Sequence, residues 1–369
     1  MGQLGITKAF FFDSRNKLFK RKGFKTSEEE YILFKKNIKK LGNDWFSLKV
    51  DDLDEDLKDL KNLLLDKKIR CLVNISESEK KKIILGMGEK YNKKAFTTEN
   101  IEFSFFVSKF SLIAIENAFM INKIIENKRV EHEMKIAKDI QLSLLPQEIP
   151  KLKNFDIGVI YEPIDQVGGD YYDILKERKD KLPVLIADVE GKGLSAALVA
   201  ASSQAIFRSL NDLYFFEAEK FISKANSLIC EFTRGNRFIT LFWMLLDDEN
   251  KTITYVNAGH VAPFLISKER TIPLTVGGFL TGFICDTEYE KETILLEKGD
   301  IIAAFTDGVT EVENPEGEEF GEGAMIDFIR ENDALPAQEL TDKLFKEITD
   351  FSRNKKFRDD FTLIILKVS

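Results

Sequence analysis

Two histidines and three cysteines in 369 residues leave little material for a zinc site, a thiolate centre or a histidine-based nucleophilic triad. Cys71, Cys230 and Cys285 are odd in number and far apart. That pattern gives no sign of a disulfide framework, and the three are read as buried free thiols. Long basic blocks are missing too, and the net charge is −8, which argues against nucleic acid as the main partner. No apolar run approaches the ~20 residues that span a bilayer, so no membrane span is expected. Phe10-Phe11-Phe12 is too short for a signal-peptide core, and Ile6 stands where a myristoylation motif needs Ser or Thr. The expectation is a soluble protein of the reducing cytoplasm.

What is present is apolar material for real cores, at 44% of residues, in a chain long enough for two or three domains. Leucines from Leu53 to Leu65 follow helical spacing. The runs 69–75 and 82–86 read as strands. Thr97-Thr98-Glu99-Asn100 reads as a helix start, and the apolar pattern from Phe103 to Ile125 continues that helix to about Leu145. Pro146 and Pro150 stop it. Val130, Met134, Ala137, Gln141 and Leu144 step by four and three, which fits either a dimerising coiled-coil seam or a helix lying on its own domain.

From Phe155 the pattern turns to strands, at 155–162, 183–188, 238–246, 252–257, 261–267, 289–296, 300–306 and 361–368. Paired helical stretches near 194–213 and 216–232, and near 322–331 and 336–352, separate them. Grouped strands with paired helices indicate an α+β layered domain and not an alternating βα fold.

The chemistry lies in acidic residues where apolar runs meet turns. Val184-Leu185-Ile186-Ala187 ends at Asp188, Ile301 to Phe305 ends just before Asp307, and Asp359 shortly precedes Phe361 to Leu366. Val167-Gly168-Gly169-Asp170-Tyr171-Tyr172-Asp173 comes earlier. A strand-end carboxylate is costly unless neutralised, and several brought together make an oxygen-rich site for hard divalent cations. The Val189 carbonyl can add a ligand. Phosphatase, nuclease and nucleotidyl cyclase are open at this level; the charge disfavours nuclease. Gly191-Lys192-Gly193-Leu194-Ser195 fails the phosphate-loop spacing and fits the dinucleotide fingerprint only loosely. His132 is expected in solvent, and His260 in a structural turn, Asn257-Ala258-Gly259-His260.

With these motifs in order, residues 151–369 resemble the metal-dependent phosphatases of the protein phosphatase 2C superfamily, in their bacterial stage II sporulation E and sigma-factor-regulatory branch. The resemblance includes Gln141-Leu142-Ser143-Leu144-Leu145-Pro146, the Val167–Asp173 stretch, Tyr255 to His260, and Thr306 to Gly321. It implies an antiparallel β-sandwich flanked by helix pairs. It implies two cations, Mn²⁺ or Mg²⁺, held by Asp170, Asp188 and the Val189 carbonyl on one side and by Asp307 and Asp359 on the other, with Asp188 bridging. The implied reaction is hydrolysis of phosphoserine or phosphothreonine on a protein by cation-activated water, and the implied substrate is a small anti-sigma-factor antagonist.

The family stretch Gly-Asp-Val-Ser-Gly-His-Gly reads here Ala187-Asp188-Val189-Glu190-Gly191-Lys192-Gly193. Lys192 therefore has two readings, a phosphate clamp in catalysis or a partner of Glu190. A catalytically silent binding module is the competing function. The N-terminal part resembles a GAF sensory domain through Phe96 to Asn100 and Ala114-Ile115-Glu116-Asn117-Ala118. The expected layout is a GAF-like domain over 1–108, a linker helix or coiled coil over 109–146, and the phosphatase-like domain over 151–369, with a possible homodimer through the linker.

Overall fold

The computed structural model describes all residues except 1–3, 15–17, 39, 43–44, 77–81, 165 and 354–355. The chain forms two compact units, Met1–Lys128 and Arg129–Ser369.

The first unit holds β1 (Ala9–Asp13), β2 (Leu18–Lys22), α1 (Glu28–Ile38), β3 (Ser47–Lys49), α2 (Lys58–Asp66), β4 (Ile69–Asn74), β5 (Ile83–Gly88) and the start of α3 (Thr98–Leu144). The Leu53–Leu65 pattern is split: a short 3₁₀ turn at Glu55–Leu57 precedes α2. The sheet runs β2-β1-β5-β4-β3, and these pairings are antiparallel. Its two faces follow strand alternation, broken in β4 by a register shift between Ile69 and Cys71. Ile69 and Leu72 of β4 join Phe10, Phe12, Phe34, Leu60 and Leu64 on one side. Cys71 and Val73 join Met87 on the other, where Phe96, Ile101 and Phe105 pack. The Phe10-Phe11-Phe12 run is thus the middle of a strand in this sheet.

The second unit continues from α3 through β6 (Phe155–Glu162), β7 (Tyr171–Ile174), β8 (Lys181–Val189), α4 (Leu194–Tyr214), α5 (Ala218–Thr233), β9 (Ile239–Asp247) and β10 (Thr252–Ala258). Then come β11 (Phe264–Ile266), β12 (Thr271–Pro273), β13 (Gly277–Gly278), β14 (Glu292–Leu295), β15 (Ile301–Phe305), α6 (Asp307–Thr310), α7 (Gly321–Glu331), α8 (Ala337–Ser352) and β16 (Phe361–Val368). One sheet runs β13-β10-β9-β8-β7 with β14 on β10, and the other runs β12-β11-β15-β16-β6.

Alternation in these strands builds three apolar layers. Leu182, Val184 and Ile186 of β8 face Ile302, Ala304, Ile364 and Leu366 of the second sheet in the central core. Leu185, Ala187 and Val189 of the same strand face α4 and α5 through Phe207, Phe221 and Ile229. Ile301, Ala303 and Phe305 of β15 face α7 and α8 through Met325, Leu340 and Leu344. Strands buried on both faces explain the near-continuous hydrophobic runs in the sequence. The result is the expected α+β sandwich between two helix pairs.

One expectation needs correction. Cys230 of α5 and Cys285 form a disulfide, with Cα atoms 5.6 Å apart; 55 residues of separation hid this from sequence spacing. Of the three cysteines only Cys71 is free, and it is buried. Helix α3 is long and apolar enough by length and composition to cross a membrane, and only 17% of its most apolar window is buried within the chain. Lys109, Glu116, Lys123 and Glu126 interrupt its apolar positions.

Candidate metal and phosphatase site

The acidic residues meet at one end of the sandwich, where strands of both sheets terminate. Asp170 immediately precedes β7, Asp188 is the penultimate residue of β8, Asp307 opens α6 just after β15, and Asp359 lies two residues before β16. Asp170 is 3% exposed. Its Oδ2 accepts hydrogen bonds from Thr306 Oγ1, at 2.7 Å, and from Thr362 Oγ1. Burial pushes its carboxyl well above the ordinary carboxylate range, and the charge on Asp188 adds to this. Burial raises Asp188 to about 7, with further repulsion from Asp307, Asp359 and Asp360 opposed by Lys192. Asp307 is raised by burial and then by Asp359. Asp188 therefore stands within electrostatic reach of Asp170, Asp307 and Asp359, and burial penalises the charge on Asp170, Asp188 and Asp307.

Glycines let the backbone close around this cluster. A Cβ on Gly168 would come within 2.4 Å of Asp360 Oδ2, and one on Gly308 within 1.9 Å of the Asp360 carbonyl. Gly169 lies against the Val189 carbonyl, 3.1 Å from where its Cβ would stand.

Asp360 was not singled out from the sequence, yet it organises the site. Its Oδ2 accepts the Gly169 N–H at 2.7 Å, and its Oδ1 accepts the Ile164 N–H at 2.9 Å. The Asp359-Asp360 pair carried the only available signal: Asp359 lines the cavity beside Lys192 while its neighbour holds the loop before Asp170.

Gln141, a residue of the helical seam and of the Gln141–Pro146 stretch, is a second such support. Its amide bonds both polar groups of Gly168, donating to the carbonyl at 2.8 Å and accepting from the N–H at 3.1 Å. Three residues on, the Leu144 carbonyl accepts from Gln204 and from Arg208 Nη2, both on α4. Arg208 in turn pairs with the fully buried Asp173 through Nε at 2.8 Å. The downstream part of the seam is thus used within the chain, against its own domain.

Lys192 does not make the pair with Glu190; its contacts are to the segment just before β16. Its ammonium lies 2.6 Å from Asp359 Oδ2 and donates to the Arg358 carbonyl at 2.6 Å. It therefore grips a candidate ligand and not Glu190, whose carbonyl is instead held by Arg237 at 3.0 Å. The site opens to a cavity of about 210 Å³ lined by Lys192, Glu311, Glu313, Glu319, Arg358 and Asp359. His260 is structural. Its Nε2 donates to the Phe305 carbonyl at 3.1 Å, its Nδ1 faces Thr240 Oγ1 at 2.9 Å, and burial lowers it to about 4. His132 is exposed on α3.

The donor set suits hard cations: carboxylate oxygens, buried at Asp170 and half-buried at Asp188, Asp307 and Asp359, with one ammonium as partial compensation. Among the described residues no three His, Cys, Asp or Glu side chains are grouped closely enough to hold a metal ion together.

Residues 178–369 match the stage II sporulation protein E family. Phosphoserine phosphatase RsbU of Bacillus subtilis (strain 168) is 32% identical over 243 residues, covering 65% of this chain and 71% of that protein. The chain belongs to this family. It is a phosphatase of the protein phosphatase 2C fold. The SiaA-PP2C domain of Pseudomonas aeruginosa superposes with a TM-score of 0.60 at 18% identity, over 66% of this chain and 99% of that domain. The phosphatase domain and regulatory fragment of SpoIIE from Bacillus subtilis gives a TM-score of 0.51 at 20% identity, over 59% and 64% of the two chains. At these identities the two structures show the shared fold.

Proposed function

We propose that this family member is a metal-dependent serine/threonine phosphatase that hydrolyses phosphoserine or phosphothreonine on a small anti-sigma-factor antagonist protein. The observation that carries this is the convergence of Asp170, Asp188, Asp307 and Asp359 at the strand ends of a phosphatase fold. The relative named a phosphoserine phosphatase supports the choice of phosphoserine. Asp170, Asp188 and the Val189 carbonyl would hold one divalent cation, Mn²⁺ or Mg²⁺, and Asp307 and Asp359 the other, with Asp188 between them. When bound, the cations supply activation of water and neutralisation of phosphoryl oxygens.

The chain's own residues do the positioning. Thr306 and Thr362 fix the Asp170 carboxylate. Asp360 and Gln141 fix the backbone that carries it. Lys192 places a positive charge beside Asp359, at the lip of the cavity where a phosphate would approach.

The reading includes a cytoplasmic location and a homodimer through α3. Phe103, Phe106, Phe110, Ile113, Met120 and Ile124 are exposed at near three-four spacing, with Phe110 at 72%, which suits a second copy of the same helix. The N-terminal unit is read as a GAF-like regulatory domain.

Turnover of a phosphoserine protein and of a nucleoside triphosphate, each with and without Mn²⁺, tests the proposal. Mn²⁺-dependent release of phosphate from the phosphoprotein alone is expected. No turnover of the phosphoprotein, with retained binding, identifies a silent module; turnover of the triphosphate to a cyclic product identifies a cyclase.

A further inference from the structure

A second cavity lies entirely within the N-terminal unit, and its volume of about 660 Å³ is within the range of small-molecule sites. It is bounded by the edge strand β3, by β4, by the segment after β5, and by the first turn of α3. The register of β4 against β5 shifts between Ile69 and Cys71, and Arg70 and Cys71 both line the cavity as neighbours. A bulge of this kind re-aims a side chain that plain alternation would send to the other face.

The lining has two characters. Leu48, Phe96 and Ile101 give an apolar wall, and the buried Cys71 thiol sits with them. Lys49, Arg70, Lys90, Lys93 and Lys94 contribute five cationic groups against the three carboxylates of Asp51, Asp52 and Glu89. That excess of two positive charges occurs on a chain whose net charge is −8.

Arg70 Nε donates to Glu89 at 2.8 Å, so that pair balances itself. Lys90 donates to the Asn100 side chain and lies 5.2 Å from the centre of the Phe96 ring. Lys49, Lys93 and Lys94 have no ion-pair partner among the described residues. Lys49 is near enough to the Cys71 thiol to oppose the rise that burial causes. Cationic side chains without partners around a part-apolar cavity are arranged for an anion that also has apolar surface.

We propose that this cavity is a binding site for a small organic anion with an apolar body, a carboxylate, phosphate or sulfonate held by Lys49 and Lys94 and a body packed on Leu48, Phe96 and Ile101. Such a ligand touches the segment that starts α3. Thr97 and Asn100 cap that start reciprocally, each side-chain oxygen accepting the other's N–H at 3.3 Å. The ligand therefore bears directly on the beginning of the helix that extends to Leu144.

The test uses the full-length protein and two fluorescent probes of nearly the same body. One is the anion 1-anilinonaphthalene-8-sulfonate, and the other is neutral N-phenyl-1-naphthylamine. The site predicts one saturable sulfonate-probe site per chain, with the neutral probe at least about tenfold weaker, as for loss of one good charged contact. Lys49→Glu combined with Lys94→Glu should weaken the sulfonate probe by about tenfold or more and leave its neutral analogue unchanged. These lysines are exposed, so an unchanged melting temperature is expected for the double variant. Ala95→Trp, which places an indole at the cavity wall, should block both probes. Equal binding of the two probes, or sulfonate binding untouched by both variants, would place the probe on the exposed apolar face of α3 and overturn the proposal. Absence of a saturable site would overturn it as well.

Discussion

At the residue scale the strand-end positions of the four candidate carboxylates were legible in sequence, because an Asp at the end of a buried strand stands out against its surroundings. Asp360 was not, since its work is to accept backbone N–H groups from a loop about 190 residues away. Lys192 was flagged, but its partner Asp359 is distant in sequence, so spacing pointed instead to Glu190. Removing Lys192 frees Asp359 for a cation. Lys192→Ala is expected to tighten Mn²⁺ binding by up to about fivefold, the scale of a half-exposed ion pair. Calorimetry with Mn²⁺ checks this; weaker binding in the variant would assign the lysine a supporting role.

The raised carboxyls also set a pH dependence. Asp188 titrates near 7 in the folded, cation-free chain against an ordinary value of 3.8. Its neutral form is therefore favoured by folding, and that stability is lost as pH rises through about 7. His260 acts oppositely: lowered from 6.5 to about 4, it removes stability only as pH falls below 6.5. Between pH 8 and about 6.5 the carboxylates dominate. Chelated protein should melt higher as pH is lowered across that window, and saturating Mn²⁺ should flatten the trend. A melting temperature that falls over the same interval in chelator contradicts the site's electrostatics.

At the element scale, strands 155–162 and 361–368 match their sequence reading, because both are long, apolar and bounded by turns. Shorter pieces such as β12 and β13 carry too few residues to show a period. The four-three spacing left two readings of α3 open, a dimer seam or a helix on its own domain. Its four-three seam ends on its own domain at Gln141, while the exposed apolar positions lie upstream. Gln141→Ala leaves both polar groups of Gly168 without their side-chain partner, so a stability loss of about 1–2 kcal/mol is expected together with lower turnover. Gln141→Glu retains only the acceptor and should rescue little. A variant that keeps full activity and stability would show that α3 does not support the site. For dimerisation, Phe110→Glu with Ile113→Glu should convert a dimer to a monomer in light scattering; a monomeric wild type at micromolar concentration refutes the homodimer.

At the scale of the whole molecule, the α+β sandwich with flanking helix pairs was legible because both sheets are buried on both faces. The periodicity of their strands then records which layer each residue joins. The antiparallel sheet of the first unit was less so: its strands are short and its loops charged, and its cavity depends on a bulge that leaves no mark in composition. The central claim is that Asp170, Asp188, Asp307 and Asp359 act as one cation-holding unit in phosphate hydrolysis. The most direct measurement is kcat/KM on a phosphoserine protein in Mn²⁺ for Asp188→Asn, Asp307→Asn and the double variant. Each single change should cost ~10³-fold or more, with the double no worse than the poorer single, because ligands of one site are not additive. Near-normal Mn²⁺-dependent turnover in either single variant, or losses that multiply in the double, would contradict it.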